Sequence, residues 1–262
     1  MFGSMAIKNE TLKIKALDTW FDEINLPVAP SCNMMCNFCN RCSDCVLNGN
    51  NPEYFSKVLT PRLAVNKAIA SIEKNKRAGI FKISGPGEPL SNVQTFEVLR
   101  RLSVSLPDYV YSVCTNGILL EDKAEELAEL NVKKVEVAVN AVFTRTITKL
   151  YSRIVKNNNV VASPEVMTAV MLQGQFNGIR ACIERGMLVS VNTTYFPGIN
   201  DNDILVIASK CEELGVKNMY LIAHKPEGKL KNLQKPVIQD LIALRNQVSK
   251  YIREVGIKCY DS

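Results

Sequence analysis

The sequence lacks the features that would point to a membrane or to nucleic acid. No apolar run approaches the roughly 18 residues needed to cross a bilayer, so we expect no membrane segment. No charged stretch followed by an apolar one opens the chain, so we expect no secretory signal and a cytoplasmic location. The net charge of +6 comes from lysines and arginines scattered among acidic residues, so we expect no nucleic-acid partner.

A glycine-rich phosphate turn, which a dinucleotide-binding sheet carries after its first strand, is also missing. Cysteines occupy that position instead. Six strand-like runs alternate with helical patterns, and this alternation indicates parallel pairing. The runs are residues 24–30, 79–84, 109–114, 134–140, 188–194 and 218–223. We therefore predict an α/β fold built as a partial (β/α)6 TIM-type barrel, with the functional side chains at the carboxyl ends of the strands.

A chain of 262 residues suits one barrel domain with short flanking segments. We predict an N-terminal extension over residues 1–23, a core domain over 24–225 and a C-terminal helical extension over 226–262. Residues 1–4 precede a second methionine and resemble a remnant of cloning, so they enter no functional argument. Residues 151–163 lack a regular hydrophobic period and are predicted to form an insertion or a mobile loop.

Cysteine is the residue type that is unusually concentrated. Nine cysteines are present, and five of them lie between positions 32 and 45, which in a reducing compartment indicates metal or redox chemistry. Cys32, Cys36 and Cys39 form a C-x3-C-x2-C pattern. Three thiolates can hold three irons of a [4Fe–4S] cluster and leave the fourth iron open to a chelating ligand. A zinc site or an ordinary four-cysteine cluster is the alternative interpretation.

With this motif the chain resembles the radical S-adenosylmethionine (SAM) superfamily. The resemblance implies that SAM binds the open iron through its methionine amine and carboxylate. An electron from the cluster then breaks the sulfur–C5′ bond and gives a 5′-deoxyadenosyl radical. The resemblance further implies a catalytic role for Cys32, Cys36 and Cys39, a place for Phe38 near the adenine, and an electron donor such as ferredoxin or flavodoxin as a partner.

The segment Gly85-Pro86-Gly87-Glu88 follows the second strand and resembles the glycine–glycine–glutamate motif of the superfamily, which contacts the methionyl amine. Glycine suits this place because a closely approaching ligand leaves no room for a Cβ; a plain tight turn is the alternative. Small polar side chains at or near the ends of the next strands are predicted to bind the ribose hydroxyls and carboxylate of SAM, with loop-initiating residues as the alternative. They are Thr115, Asn116, Asn140 and Asn192.

Four segments also resemble the NifB family, the maturases of the nitrogenase cofactor; they are residues 26–45, 84–92, 139–142 and 191–201. The resemblance implies an iron–sulfur substrate, because family members fuse two [4Fe–4S] units and insert a carbon from a SAM methyl. It also implies extra cysteine and histidine ligands for the substrate clusters. The sequence departs from the family here, since no histidine or cysteine precedes residue 24 and a single Cys259 stands in place of a C-terminal pair.

Three further cysteines are candidates to bind an auxiliary or substrate cluster, or a transferable metal ion. They are Cys42 and Cys45, which continue the cysteine-rich loop, and Cys114 in the third predicted strand. The alternative is that one or two of them are buried thiols without a metal role.

Two more cysteines and one histidine complete the set of soft ligands. Cys182 and Cys211 fall within amphipathic helices and are predicted to be core residues. His224, the single histidine of the chain, follows the sixth predicted strand and is a candidate ligand or proton donor, or a structural residue.

The function that these patterns favour is SAM cleavage coupled to assembly of an iron–sulfur cofactor or to another radical reaction on a small molecule. A cluster carrier that retains the barrel without catalysis is one alternative, and a zinc-binding structural protein is another. The carrier would hold iron and yet make no 5′-deoxyadenosine, whereas the zinc protein would have no iron–sulfur absorbance.

Overall fold

The computed structural model describes residues 21–39 and 58–259. The helices in these ranges are α1 (Pro61–Lys74), α2 (Val93–Ser105), α3 (Leu120–Glu129), α4 (Thr144–Leu150), α5 (Pro164–Glu184), α6 (Asp201–Glu213) and α7 (Ile238–Val248). The strands are β1 (Asp22–Pro27), β2 (Met34–Cys36), β3 (Ala78–Ser84), β4 (Val110–Thr115), β5 (Val132–Ala138), β6 (Tyr151–Lys156), β7 (Asn159–Val161), β8 (Leu188–Tyr195), β9 (Asn218–Ala223) and β10 (Glu254–Lys258). None of the described helices is long and apolar enough to cross a membrane.

Seven strands form one sheet in the order β1-β3-β4-β5-β8-β9-β10, and every neighbouring pair is parallel. Because the order in space follows the order in sequence, each strand–helix unit steps in the same direction and the sheet curls into a half-barrel. The predicted partial barrel is therefore confirmed. The parallel arrangement brings the carboxyl ends of all seven strands to one mouth of the half-barrel.

The seventh strand, β10, is absent from the six predicted strands. The sequence after residue 236 predicts one amphipathic helix and a short end, but this end pairs with β9 in parallel register. Val255 and Ile257 pack against the main core, whereas the terminal residues Glu254 and Lys258 are exposed. Five residues with charges at both ends carry too weak an alternation to indicate a strand, and pairing with β9 decides the outcome.

The prediction of a loop over residues 151–163 is wrong, because this segment forms the antiparallel hairpin of β6 and β7. Tyr151 and Ile154 are buried, and Asn157 and Asn158 take positive φ values of 52° and 62° at the turn between the strands. The hairpin pairs with β2 to give a second, three-stranded sheet. The insertion is thus fixed to the strand that contains the second cysteine of the motif.

Two hydrophobic cores stabilise this arrangement. The larger one lies between the outer face of the parallel sheet and the helices, and it contains Cys182 and Cys211, which are fully buried as predicted. The smaller one lies beneath the cysteine loop and includes Tyr151 and Phe196. Complete burial of a side chain such as Phe196 contributes about 1.5–3 kcal/mol, so the second core anchors the loop to the barrel mouth.

Candidate active site at the barrel mouth

The cysteine motif begins at Cys32, five residues after the end of β1 at Pro27, and continues into β2. Cys36 pairs with Tyr151 in the second sheet, and the side chains of Cys32, Cys36 and Cys39 are of intermediate exposure. Cys32 and Cys36 pack with Phe38 against the smaller core. The motif is therefore held by strand pairing and by apolar packing, and its sulfur atoms remain partly accessible.

These three thiols fit a [4Fe–4S] cluster by their chemistry. No group of three histidine, cysteine or acidic side chains within residues 21–39 and 58–259 is gathered closely enough to hold one metal ion. A cubane does not require such a group, because each of its irons takes a separate thiolate. Cys42 and Cys45, which were predicted to bind an auxiliary cluster, lie outside the described residues.

The loop from Gly85 to Glu88 docks on the residues that precede Cys32. The Gly87 N–H donates to the Ala29 carbonyl at 2.7 Å, and the Glu88 N–H donates to the Ser31 carbonyl at 2.8 Å. A Cβ on Gly87 would overlap the Ser31 carbonyl. The structure thus gives a reason for this glycine that differs from the expected one, since its α-carbon faces protein backbone.

Asn92 fastens the same two segments together, and the sequence alone assigned it no role. Its Nδ2 donates to the Ser31 carbonyl at 2.8 Å and to the Glu88 carbonyl at 2.7 Å, while its Oδ1 accepts from the Ser31 hydroxyl at 2.8 Å. Asn92 is buried and precedes helix α2. Its position reads as an ordinary helix start, so only the fold shows that it spans 61 residues to reach the cysteine loop.

Glu88 joins the β3 loop to the β4 loop. Its carboxylate accepts from the Leu90 N–H at 3.0 Å, from the Thr115 hydroxyl at 2.5 Å and from the Asn116 N–H at 2.7 Å. Burial raises the pKa of Glu88 to about 7, although these three donated bonds each lower it. The predicted contact between Glu88 and the SAM amine remains a prediction, and the bonds that are present make Glu88 a link between two loops.

The turn after β4 reaches back to the cysteine motif. Asn116 Nδ2 donates to Asn33 Oδ1 at 2.8 Å, and the Gln175 amide from α5 donates to the Asn116 carbonyl at 3.0 Å. Gly117 has a φ of 81°, a conformation that favours glycine. Thr115 and Asn116, both predicted to bind SAM, are therefore parts of one network with Asn33, the residue next to Cys32.

Asn140 lies at the end of β5, and both ends of its side chain have protein partners. Its Oδ1 accepts from the Thr194 N–H at 2.8 Å, and its Nδ2 donates to the Tyr151 hydroxyl at 3.0 Å. The Asn200 amide donates to its backbone carbonyl at 3.0 Å. Asn140 thus connects β8 with the insertion hairpin, and its predicted contact with SAM remains a prediction.

Asn192 lies deeper in the half-barrel, beside a buried ion pair. Its Nδ2 donates to Glu136 at 3.0 Å, and Glu136 pairs with the Lys82 ammonium at 2.7 Å. Burial opposes ionisation of Glu136, but Lys82 and the Asn192 amide outweigh burial and hold the pKa of Glu136 below its usual value. The amide nitrogen of Asn192 bonds Glu136, and its Oδ1 is a buried acceptor that has no partner within residues 21–39 and 58–259.

Cys114 lies on β4 in register with Glu136 of β5. Burial raises the pKa of the Cys114 thiol to about 12, and the charge of Glu136 adds to this effect. The structure does not gather Cys114 with the three motif cysteines into a single-ion site among the described residues. Its predicted part in an auxiliary cluster remains a prediction.

His224 follows β9 and is buried at the same mouth. Its ring lies 4.8 Å from the ring of Phe196, which in turn lies 4.8 Å from the ring of Phe38 in the cysteine loop. Burial lowers the pKa of His224. A hydrogen bond to the backbone of Leu230 raises this pKa, but by less than burial lowers it. In the part of the chain that the structure describes, the Nε2 atom of His224 has no hydrogen-bond partner.

Three buried polar atoms have no partner among the described residues: the donor Nδ2 of Asn33 next to Cys32, the Nε2 of His224, and the acceptor Oδ1 of Asn192 beside the Lys82–Glu136 pair. Native proteins rarely leave such atoms unpaired, because each costs about 1–3 kcal/mol, and a bound polar ligand removes this cost. A ligand with both donors and acceptors, as SAM has, fits this set. The atoms of Asn33 and His224 lie with the three thiols at the carboxyl ends of the strands, where a polar ligand could pair with them.

A cavity of about 1000 Å³ opens at the opposite end of the half-barrel. It is lined by the first residues of several strands, including Asp22, Leu188 and Glu254, and by the Lys82–Glu136 pair. Parallel barrels place their chemistry at the carboxyl ends of strands. We therefore assign the active site to the mouth with the cysteine motif rather than to this cavity.

The sequence model of the radical SAM superfamily matches residues 26–211, a range that contains the cysteine motif, the Gly85–Glu88 loop and the strands up to β8. The chain therefore belongs to the radical SAM superfamily, a superfamily of enzymes. Two curated relatives are more specific. The chain is 32% identical over 212 residues to the FeMo cofactor biosynthesis protein NifB of Azotobacter vinelandii, covering 79% of this chain and 41% of that protein. It is 31% identical over 232 residues to the NifB of Methanocaldococcus jannaschii, covering 87% of this chain and 76% of that protein.

The resemblance to the NifB family is thus confirmed, although the chain spans less than half of the Azotobacter protein. Two solved structures share the fold. SuiB of Streptococcus suis, bound to S-adenosylmethionine, aligns with a TM-score of 0.63 at 14% identity. The alignment covers 97% of this chain and 54% of the SuiB chain. Methylornithine synthase (PylB) aligns with a TM-score of 0.59 at 13% identity, and the alignment covers 95% of this chain and 76% of the PylB chain.

Proposed function

We propose that this protein is a radical SAM enzyme that reductively cleaves SAM at a [4Fe–4S] cluster and acts, like NifB, in assembly of an iron–sulfur or other metal cofactor. The observation that carries the proposal is the docking of the Gly85–Glu88 loop on Ser31, directly before Cys32. This docking brings the two elements of the superfamily site into contact. Identity of 31–32% to NifB proteins supports the assignment to cofactor assembly.

Cys32, Cys36 and Cys39 would hold the cluster, which supplies one electron and an open iron for chelation of SAM. The chain's own residues do the remaining work. Asn33 Nδ2 is a free donor beside Cys32 and suits a carboxylate, while Asn192 Oδ1 is a free acceptor and suits a hydroxyl. Phe38, packed on Tyr151 and Phe196, gives an apolar surface against which the adenine of SAM can lie.

The substrate belongs to the proposal as well. Similarity to NifB favours an iron–sulfur cluster substrate over an organic small molecule, with Cys42, Cys45 and Cys114 as candidate ligands of a second cluster. A low-potential donor such as ferredoxin or flavodoxin would supply the electron. These partners extend the proposal beyond the cluster and SAM that the superfamily implies.

The test is electron paramagnetic resonance of the anaerobically reconstituted and reduced protein, with and without SAM. We expect a reduced [4Fe–4S] signal whose g values change on addition of SAM, because SAM binds the open iron. Cys36→Ala should lose this signal, since two thiolates do not retain the cluster. Cys259→Ala is the matched control, because Cys259 is exposed and lies outside the site. A colourless wild-type protein that binds zinc, or a cluster indifferent to SAM, would contradict the proposal.

A further inference from the structure

Asn37 directly follows the second cysteine of the motif, and its backbone is bonded to two distant parts of the chain. Its N–H donates to the Leu150 carbonyl at 2.7 Å, at the junction of α4 and β6. Its carbonyl accepts from the Lys229 N–H at 2.6 Å and from the Leu230 N–H at 3.2 Å, in the short turn after β9. The peptide groups next to Cys36 are therefore fixed from both sides of the loop.

The side chain of Asn37 makes two more bonds, one to the last turn of α4 and one to the hairpin of β6 and β7. Its Nδ2 donates to the Lys149 carbonyl at 2.9 Å, and its Oδ1 accepts from the Ser152 hydroxyl at 2.6 Å. The Ser152 hydroxyl also accepts from the Lys229 ammonium at 3.0 Å. A directed chain of bonds thus runs from Lys229 through Ser152 to Asn37, and it joins the turn after β9, the hairpin and the cysteine loop.

The turn after β9 also touches the loop through space. Gly228 has a φ of 59°, and a Cβ there would lie 2.7 Å from the Asn37 carbonyl oxygen and 3.0 Å from the Cys39 nitrogen. The turn is therefore packed on the stretch between the second and third cysteines. Most of this stretch has no regular secondary structure of its own, since β2 ends at Cys36.

We propose that Asn37 is a positioning residue for the cluster and that the hairpin of β6 and β7 serves to supply one of its side-chain partners, the Ser152 hydroxyl. This inference rests on the proposed function, because it assumes that the motif cysteines hold a cluster that binds SAM. Asn37 touches neither reacting group in the proposal. Its five bonds instead fix the backbone that sets the distance between the Cys36 and Cys39 thiolates, and with it the position of the open iron relative to the SAM pocket.

A displacement of about 1 Å at a reacting centre can cost about a hundredfold in rate, so the loop need shift only slightly for the effect to be measurable. The experiment compares Asn37→Ala, Ser152→Ala and the double variant with the wild type, all reconstituted anaerobically. SAM is the probe, and its dissociation constant is read from the change that it causes in the g values of the reduced cluster. Ser249→Ala is the matched control, because that hydroxyl donates to the Arg245 carbonyl of its own helix α7 at 2.8 Å and is exposed.

We expect each single variant to keep its iron, since all three cysteines remain, but to bind SAM about tenfold more weakly and with altered g values. The double variant should be little worse than Asn37→Ala, because Asn37→Ala already removes the bond between Asn37 and Ser152. Wild-type affinity and g values in both single variants would overturn the assignment while leaving the proposed function intact. If Asn37→Ala does not fold, Ser152→Ala decides, since it leaves the loop sequence unchanged. A wild-type cluster indifferent to SAM would overturn both proposals.

Discussion

The α-carbon of Gly87 faces the carbonyl of Ser31 so closely that no side chain fits between the Gly85–Glu88 loop and the start of the cysteine motif. This contact makes the two halves of the site one structural unit. From the sequence alone, a larger residue at position 87 is predicted to block SAM binding and to leave the cluster content unchanged. The structure predicts that it also moves Ser31 and, with it, Cys32.

Gly87→Ala should therefore lower the iron content of the reconstituted protein as well as its affinity for SAM. The control is Gly215→Ala, whose Cβ meets no atom within 4 Å although its φ is +83°. That variant should lose about 1–2 kcal/mol of stability to backbone strain and keep both iron and SAM binding. Iron and sulfide analysis with SAM titration separates the two cases. If Gly87→Ala keeps its full iron content and loses only SAM binding, then Gly87 faces the ligand and does not position Cys32.

Glu88 should make stability depend on pH. Burial raises its pKa to about 7 in the folded protein, from a usual value near 4.5, so the folded state binds a proton that the unfolded state has released. This contribution is complete below about pH 4.5 and is lost as the pH rises to about 7, and its size is on the order of 2–4 kcal/mol.

Urea unfolding of the apoprotein between pH 4.5 and 7.5 checks this contribution. Glu88→Gln cannot titrate, so its stability should change less with pH over this interval than that of the wild type. Its absolute stability should be lower at low and neutral pH, because the amide NH2 group faces donors from Thr115 or Asn116. Parallel pH profiles for the two proteins would show that Glu88 has an ordinary pKa in the folded state.

Asn33 offers a test of the unpartnered donor. Asn33→Asp keeps an oxygen for the Asn116 amide but replaces the free Nδ2 with a carboxylate oxygen. If Nδ2 binds the carboxylate of SAM, this variant should bind SAM at least about tenfold more weakly, which corresponds to loss of one charge-assisted bond. Asn246→Asp, on the exposed face of α7, is the matched control for the added charge. Equal SAM affinity in Asn33→Asp and wild type would remove Asn33 from the pocket.

Tyr151→Phe should cost stability without disturbing the packing of Phe38. Removal of the hydroxyl leaves the Nδ2 of Asn140 buried without an acceptor, at a cost of about 1–3 kcal/mol. The ring itself remains and keeps its edge contact with Phe38 at 5.8 Å. Urea unfolding measures the loss, and Tyr251→Phe serves as the control because Tyr251 is exposed. An equal change in both variants would mean that the bond to Asn140 contributes nothing.

Local patterns in the sequence were enough to predict the barrel and the cysteine motif. Strand-like runs alternate with helical ones at a regular spacing, and the three cysteines of the motif lie within eight consecutive residues, from Cys32 to Cys39. The Gly85–Glu88 loop follows its strand directly. Each of these patterns involves residues that are close together in the sequence, and therefore the sequence alone is enough to predict them.

The remaining parts of the site depend on contacts that sequence spacing does not encode. Asn92 reaches Ser31 across 61 residues, and Asn37 reaches Ser152 across 115. Hairpin β6–β7 was predicted as a loop or insertion because its register is set by pairing with β2. Strand β10 was missed for a similar reason, since its pairing with β9 outweighs a weak local pattern. Polar side chains that link elements look like ordinary turn residues until the fold brings their partners together.

Formation of 5′-deoxyadenosine distinguishes a radical SAM enzyme from a cluster carrier that lacks catalysis. The reconstituted wild type, reduced anaerobically and supplied with SAM, should produce 5′-deoxyadenosine, and Cys32→Ala, Cys36→Ala and Cys39→Ala should each produce none. The exposed-cysteine control Cys259→Ala should match the wild type. A wild type that holds a [4Fe–4S] cluster and binds SAM, yet yields no 5′-deoxyadenosine under reduction, would contradict the account and identify the protein as a cluster carrier.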